Sequence, residues 1–159
     1  MSFFWSNLAH GSTGATSIAP GTYTAASTKG TGIDTAGSNR SDIVIALGAW
    51  TDGAQLWKIQ VSDDDVDGNY ANAPLASLDY VSGVLNGSGF LAVTDATKDG
   101  KVYVVAYTGS KRWIRVVTED TGGTTGGAGA AFVFLTQSRY VGTNPGSSTN
   151  FDSAYNPTS

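Results

Sequence analysis

Apolar and polar residues alternate with a period of two through the middle of the chain. The pattern is clearest in 43–49 (IVIALGA), 56–61 (LWKIQV), 102–107 (VYVVAY), 112–118 (RWIRVVT) and 131–135 (AFVFL). These segments are rich in β-branched and aromatic residues and end in Gly, Asp or Ser clusters, as strands do. Their spacing predicts an all-β fold, an antiparallel β-sandwich with a jelly-roll-like rhythm. The lack of βαβ alternation excludes a Rossmann or P-loop architecture.

Helical spacing occurs in one place, 75–85 (LASLDYVSGVL), so at most one short helix or helical turn is expected. Composition divides the chain into three zones. Residues 1–40 are predicted to form an N-terminal arm with weak strands, 41–141 the sandwich body, and 142–159 a tail of turn-forming residues.

Three cations and two aromatic residues crowd into 107–117 (YTGSKRWIRVV). A two-residue turn at Gly109-Ser110 predicts a hairpin of 102–107 with 112–117, near the middle of a sheet, with one face partly covered by an arm or a partner chain. In that pairing Arg115 has apolar neighbours and needs an acceptor, because an unpaired buried charge is costly. The candidate acceptors are Asp34, Asp42, Glu119 or a residue of another subunit. On one interpretation Lys111 and Arg112 are solvated turn residues and Arg115 is a paired strand residue. On the other, these cations belong to a subunit interface.

Composition removes several classes of function. The 159 residues suit one domain, and only 14% are charged, with a net charge of −4. Sequence-independent binding to nucleic acid or to an anionic membrane is therefore not expected. The chain has no cysteine, so thiolate catalysis and thiolate metal sites are excluded. Residues 1–14 lack the features of a secretory signal, and a soluble protein made in a cytoplasm is expected.

Candidate chemistry is sparse, and no cofactor or resident metal is predicted. The one histidine, His10, lies in a Gly/Ser/Thr-rich stretch, which makes a catalytic triad implausible. Asp63, Asp65, Asp67 and Gly68 match the opening of a calcium loop, but its twelfth position is proline rather than glutamate. An acidic, solvated loop is the default interpretation. The glycine-rich segment 120–130 lacks the Walker A lysine and is predicted to be a mobile hairpin loop.

Four tryptophans and seven tyrosines raise the alternative of a carbohydrate-binding module, in which aromatic rings stack on sugars. Trp57, Ile59 and Val61 share one strand face, and this spacing favours a core over a binding platform. The order strand, turn, strand, acidic turn in 48–64 is typical of a jelly-roll sandwich and indicates a fold more than a function.

Four segments resemble a family of small tailed-bacteriophage virion proteins. They are IDTAGSNRSDIVIALGAW (33–50), LWKIQVSDDD (56–65), VYVVAYTGSKRWIRVV (102–117) and AFVFLTQSRYVGTNP (131–145). In that family an I-D-T-x-G opening, an SDD turn, a Y-x-G-S-K-R-aromatic-aliphatic-R hairpin and a small-residue loop before the last strand follow in this order. The resemblance covers about seven-tenths of the chain, and the hairpin motif is its specific part. Both termini depart from the family pattern.

The resemblance implies a non-catalytic capsid decoration (cement) protein on the virion surface, synthesised in the host cytoplasm. Its implied partners are the major capsid protein and further copies of itself, for example in a trimer; a head-tail or tail structural role is the other reading. Trp113 and Arg115 are predicted interface residues, as are Phe3, Phe4 and Trp5. These three consecutive apolar side chains would form an exposed patch unless something covers them. They either anchor on a partner or fold as a strap over the protein's own sheet.

Overall fold

The computed structural model describes residues 13–24, 26–82 and 90–138, and within them eleven strands form two antiparallel sheets. The strands are β1 (Thr13–Tyr23), β2 (Thr28–Lys29), β3 (Ile33–Asp34), β4 (Ser38–Trp50), β5 (Ala54–Ser62), β6 (Ala71–Asn72), β7 (Leu78–Ser82), β8 (Phe90–Val93), β9 (Val102–Tyr107), β10 (Trp113–Thr121) and β11 (Gly127–Ser138). Three single turns of 3₁₀ helix, at Asp67–Asn69, Leu75–Ser77 and Ala96–Lys98, accompany them.

The two sheets have five and six strands. The five-stranded sheet has the order β1-β11-β4-β9-β7. The six-stranded sheet has the order β2-β10-β5-β6, with β3 also on β10 and β8 also on β5. This arrangement confirms the predicted all-β sandwich. Four of the five segments with period-two alternation lie within a strand, and the fifth, 112–118, lies in β10 except for Arg112, which precedes the strand.

The core between the sheets consists of the alternate residues that the pattern marks as apolar. Val133, Ile43 and Val105 form one row across β11, β4 and β9, and all three are buried. From the other sheet, Ile114 and Val116 face the same core. Trp57, Ile59 and Val61 are buried with them, which confirms their interpretation as core residues.

The predicted hairpin of 102–107 with 112–117 is wrong. Strand β9 pairs with β4 and β7 in one sheet, whereas β10 pairs with β5, β2 and β3 in the other. The link between them crosses the sandwich because other segments bind its backbone. Thr108 N–H donates to the carbonyl of Ser77 (2.9 Å), and Thr35 N–H donates to the carbonyl of Arg112 (2.8 Å). Each end of the link is thus held on a different sheet.

The described part of the segment with helical spacing, residues 75–82, forms a turn and a strand. A 3₁₀ turn occupies Leu75–Ser77, and strand β7 follows at once at Leu78–Ser82. Leu78 is buried in the core from the strand, opposite Tyr107 of β9. The short apolar run therefore supplies one helical turn and then extended chain.

The described part of the predicted arm, residues 13–24 and 26–40, takes part in both sheets. Strand β1 pairs along β11 over eleven residues, with register shifts on either side of Ile18. Ser17 accepts a hydrogen bond from the backbone N–H of Val116 (2.9 Å) and donates one to the carbonyl of Thr31 (3.1 Å). These bonds tie the edge strand of one sheet to the middle of the other. The predicted tail, 142–159, lies outside the described residues.

Candidate functional site

The three cations of 107–117 all bind carboxylates of the same chain. The pairs are Lys111 with Asp63 (2.5 Å), Arg112 with Asp34 (2.7 Å) and Arg115 with Asp67 (2.5 Å). Arg112 and Asp34 form a two-bond contact, with a second distance of 2.9 Å from Nε to Oδ1. This contact lowers the pKa of Asp34, the hydrogen bond from Arg112 being the largest cause. The cluster that resembles an anion site in the sequence is therefore satisfied within the fold.

Arg115 is only 6% exposed, although it lies on the outer face of the six-stranded sheet. Its Nε donates to Gln60, the residue opposite on β5 (3.0 Å), and its guanidinium carbon lies 4.0 Å from the centre of the Tyr70 ring. The acidic loop, which we define as residues 63–70 between β5 and β6, folds back over this face. It brings Asp67 and Tyr70 onto Arg115 and covers it.

The predicted acceptors of Arg115 were wrong because each has another cation. Asp34 binds Arg112, Asp42 binds Arg40 (2.9 Å), and Glu119 binds Lys58. Asp67 was not among the candidates, since only the folding back of the acidic loop brings it close. The Asp67 carboxylate also accepts a bond from Lys29, and the two cations, Lys29 first, hold its pKa below the ordinary value.

The carboxylates of the acidic loop diverge. Asp63 points at Lys111, Asp64 accepts bonds from Asn69 (3.0 and 3.2 Å), and Asp65 accepts the hydroxyl hydrogen of Tyr70 (2.8 Å). Burial of Tyr70, with the neighbouring carboxylate as a further cause, raises the pKa of its hydroxyl. Among the described residues no three His, Cys, Asp or Glu side chains come together as a metal site would require. The calcium-loop spacing is thus present without its convergent geometry.

The predicted interface residues fall into three groups. Phe3, Phe4 and Trp5 lie outside the described residues, as does His10. Trp113 is half-buried on the outer face of the six-stranded sheet, with the Arg112 guanidinium 5.7 Å from its ring centre. Arg115 is covered by its own chain. Of the predicted interface residues that the structure describes, Trp113 is the one whose side chain is not covered by its own chain.

A cavity of about 580 Å³ opens beside the acidic loop, where the chain crosses from β9 to β10. Its polar lining includes Asp63, Asp64, Asn69, Asn72 and Lys111. The volume lies in the range of small-molecule sites. Asp63 and Lys111 in the lining pair with each other, and the Ser62 hydroxyl donates to Asp64 (3.2 Å). The polar groups of the lining can offer hydrogen bonds to a polar molecule.

Residues 122–126 of the glycine-rich segment 120–130 connect β10 to β11 and cross from one sheet to the other, so the prediction of a hairpin loop was wrong. Asp52 anchors it by accepting bonds from the backbone N–H groups of Thr124, Thr125 and Gly126. These bonds, with that of the Thr124 hydroxyl first, lower the pKa of Asp52. Asp120 is buried beneath the same loop. Sequence reasoning missed Asp52, whose only local signal is its place in an Asp-Gly turn.

The outer face of the five-stranded sheet is apolar at its centre. We call it the apolar face and define it by three cross-strand rows on β11, β4 and β9: Phe132-Val44-Val104, Phe134-Asp42-Ala106 and Ala130-Ala46-Val102. Val102 is 54% exposed, whereas Phe132, Phe134 and Val44 are half-buried. An antiparallel sheet with one face in water normally has polar residues there. This face therefore has the composition of a covered surface.

Comparison with known proteins gives no relative: no family model, no curated protein and no solved structure matches the chain. None of the described segments is a helix with the length and apolar character needed to cross a membrane.

Proposed function

We propose that the chain is a non-catalytic structural protein of a tailed-bacteriophage particle and decorates the outside of the assembled capsid. The proposal joins the motif resemblance to a sandwich in which six cations pair with carboxylates of the same chain. Its partners are the major capsid protein and neighbouring copies of the chain.

The observation that carries the non-catalytic part is the internal pairing of the charged side chains. Six of the cations in the described residues form ion pairs with carboxylates of the same chain. Catalytic groups are expected to converge on one cleft with perturbed pKa values. Here the shifted carboxylates are dispersed over loops and strand ends, and each has a structural partner.

Low charge also suits a protein packed at high density on a shell, since long like-charged side chains would repel one another across copies. A decoration protein stabilises the shell by binding the assembled lattice better than free subunits. Many weak contacts then act together through high effective concentration. Trp113 is the described residue best suited to such a contact, because tryptophan is enriched among residues that anchor interfaces.

The test is to remove the chain from particles and add it back. Purified particles of the phage that encodes it should contain the chain in stoichiometric amounts, and electron cryomicroscopy should locate it on the head. Trp113→Ala should weaken rebinding to stripped particles, whereas Leu75→Ala, an exposed apolar residue on a 3₁₀ turn, should not. Absence of the chain from purified particles would refute the proposal.

A carbohydrate-binding role is the second candidate, and the cavity beside the acidic loop favours it. Asp64 and Asn69 lie together on its wall and offer acceptors and donors of the kind that bind neighbouring sugar hydroxyls. Calorimetric titration with a glycan panel should then show saturable binding, and Asp64→Asn should abolish it. Particle association without any glycan response would favour the decoration role.

A further inference from the structure

The carboxylate of Asp120 is buried beneath the loop 122–126 without a hydrogen bond. Asp120 is 7% exposed, and the described residues provide no partner for either of its carboxylate oxygens. It belongs to none of the ion pairs among those residues. Buried charges in proteins are normally paired or bound to a metal, because removing an isolated charge from water is costly. Asp120 therefore needs a positive partner that the described side chains do not supply.

The residue opposite Asp120 on the neighbouring strand cannot donate to it. Gln55 of β5 faces Asp120 of β10, and side chains opposite each other in an antiparallel pair lie on the same face of the sheet. Both hydrogens of the Gln55 amide are already used, since Nε2 donates to the carbonyls of Tyr23 and Gly127 (2.9 Å each). What the amide has left is its oxygen, an acceptor. The two neighbouring side chains thus offer oxygen atoms and no donor.

The next pair along the same strands does not balance the charge either. Thr118 lies opposite Trp57, and neither the Thr118 hydroxyl nor the Trp57 indole N–H has a partner among the described residues. An indole N–H is a donor and a hydroxyl oxygen is an acceptor, so these two groups are complementary to each other. Both are neutral, and the carboxylate of Asp120 stays uncompensated.

Glycines on two sides let the backbone approach the Asp120 carboxylate. A Cβ atom at Gly53 would lie 2.5 Å from Asp120 Oδ1, and one at Gly123 would lie closer still to Oδ2. Side chains at these two positions would collide with the carboxylate. Asp52, the residue before Gly53, is a second acid in the same turn, and its carboxylate accepts N–H groups of the loop. The local charge is therefore negative.

We infer that Asp120 binds a monovalent metal cation, sodium in the first place, between the turn at Gly53 and the loop 122–126. Hard cations prefer oxygen ligands, and the Asp120 carboxylate and the Gln55 amide provide them. The remaining ligands are backbone carbonyls or water. The inference goes beyond the proposed role on a phage particle and does not depend on it.

Charge and size favour sodium over other cations. One carboxylate balances one positive charge, whereas calcium sites recruit several carboxylates. Among the residues that the structure describes, no three His, Cys, Asp or Glu side chains come together. Both oxygens of Asp120 are closed to water, which favours a small ion over a large or fully hydrated one. Because the loop carries the chain from one sheet to the other, the bound ion stabilises that crossing.

Thermal unfolding in matched salts tests the inference. Tm is measured in sodium chloride and in choline chloride at the same pH and ionic strength, so that charge screening is equal. An ion that binds the folded chain raises Tm with its concentration. We therefore expect the parent protein to have a Tm several degrees higher in sodium chloride. Equal Tm values in the two salts would overturn the inference, and this comparison needs no variant.

Two substitutions locate the sodium response. Asp120→Asn keeps the shape of the side chain and removes its charge, so its Tm should be the same in the two salts. Asp79→Asn removes an exposed carboxylate from β7 and should keep the response of the parent. Far-UV circular dichroism establishes that each variant keeps its sheets. A sodium response of parental size in Asp120→Asn would overturn the assignment to this residue.

Sodium NMR measures binding without unfolding the protein. Sodium that exchanges with a protein site has a broader resonance than free sodium. At equal protein concentration, the parent should broaden this resonance several-fold more than Asp120→Asn does, and Asp79→Asn should match the parent. A resonance that is no broader with the parent than with Asp120→Asn contradicts the site.

Discussion

Arg115 provides the sharpest test of how the acidic loop is held. We expect Arg115→Ala to destabilise the protein, because the buried guanidinium has three partners from two other segments: Gln60, Asp67 and the Tyr70 ring. The bond to Gln60 contributes about 1 kcal/mol, and stacking on Tyr70 about another 1 kcal/mol. The ion pair adds at most about 1 kcal/mol, since the Asp67 side chain is 62% exposed to screening solvent.

The three contributions add up to about 3 kcal/mol. The alanine variant no longer buries a guanidinium and so avoids its desolvation cost, which reduces the expected loss in the free energy of unfolding to about 2 kcal/mol. For a chain of this length that loss corresponds to a Tm lower by about 4–8 °C. Thermal and urea denaturation followed by circular dichroism measure both values. Arg112→Ala is the matched control. That residue pairs with Asp34, but its side chain is 57% exposed to screening solvent, so its Tm should fall by less than half as much.

A double-mutant cycle isolates the contact between the strand and the acidic loop. Arg115→Ala and Tyr70→Leu are measured singly and together, and their coupling should exceed about 0.5 kcal/mol because the two groups touch. If Arg115→Ala costs no more than Arg112→Ala, or if the two changes are additive, the reasoning about the covered guanidinium is refuted.

Four further outcomes are expected. Gly53→Ala should lower the free energy of unfolding by more than about 1 kcal/mol, because φ is +80° there and a Cβ would lie 2.5 Å from Asp120. Gly68→Ala, with open space around it, should change the free energy of unfolding by no more than about 0.5 kcal/mol. Urea denaturation measures both. Trp57→Ala should cost about 3–5 kcal/mol in the same assay, because the side chain is 1% exposed in the core; a smaller cost would contradict its close packing. The pKa values of Asp34 and Asp67 in the folded protein lie below the ordinary 3.8, so the two carboxylates stabilise the fold fully above that pH. This stabilisation is lost as the pH falls through their lower folded-state pKa values. Tm measured against pH should decline in that range, and a flat profile would contradict the ion pairs. Calcium should leave Tm unchanged, because the carboxylates of the acidic loop point at separate partners, and a rise would contradict this.

The sequence determined the strands and their buried faces. Strand β9 occupies the predicted 102–107, and Trp57, Ile59 and Val61 lie in the core as their alternation predicts. Alternation is a local property, because successive side chains of extended chain point to opposite sides whatever strand lies beside them. The all-β fold could therefore be predicted without knowledge of any long-range contact.

Only the tertiary structure decided which strands are neighbours and which charges meet. Gly109-Ser110 is a favourable hairpin-turn sequence, but β9 and β10 do not pair. Ser77 and Thr35 bind the two ends of the segment between these strands, and they hold the ends on different sheets. Arg115 meets Asp67, 48 positions away in the chain, because the acidic loop folds back across β10. Strand pairing and ion pairing join residues that are distant in sequence, and their energies depend on distance in space. The local pattern specifies each strand, whereas the packing of the whole chain determines which strand pairs with it.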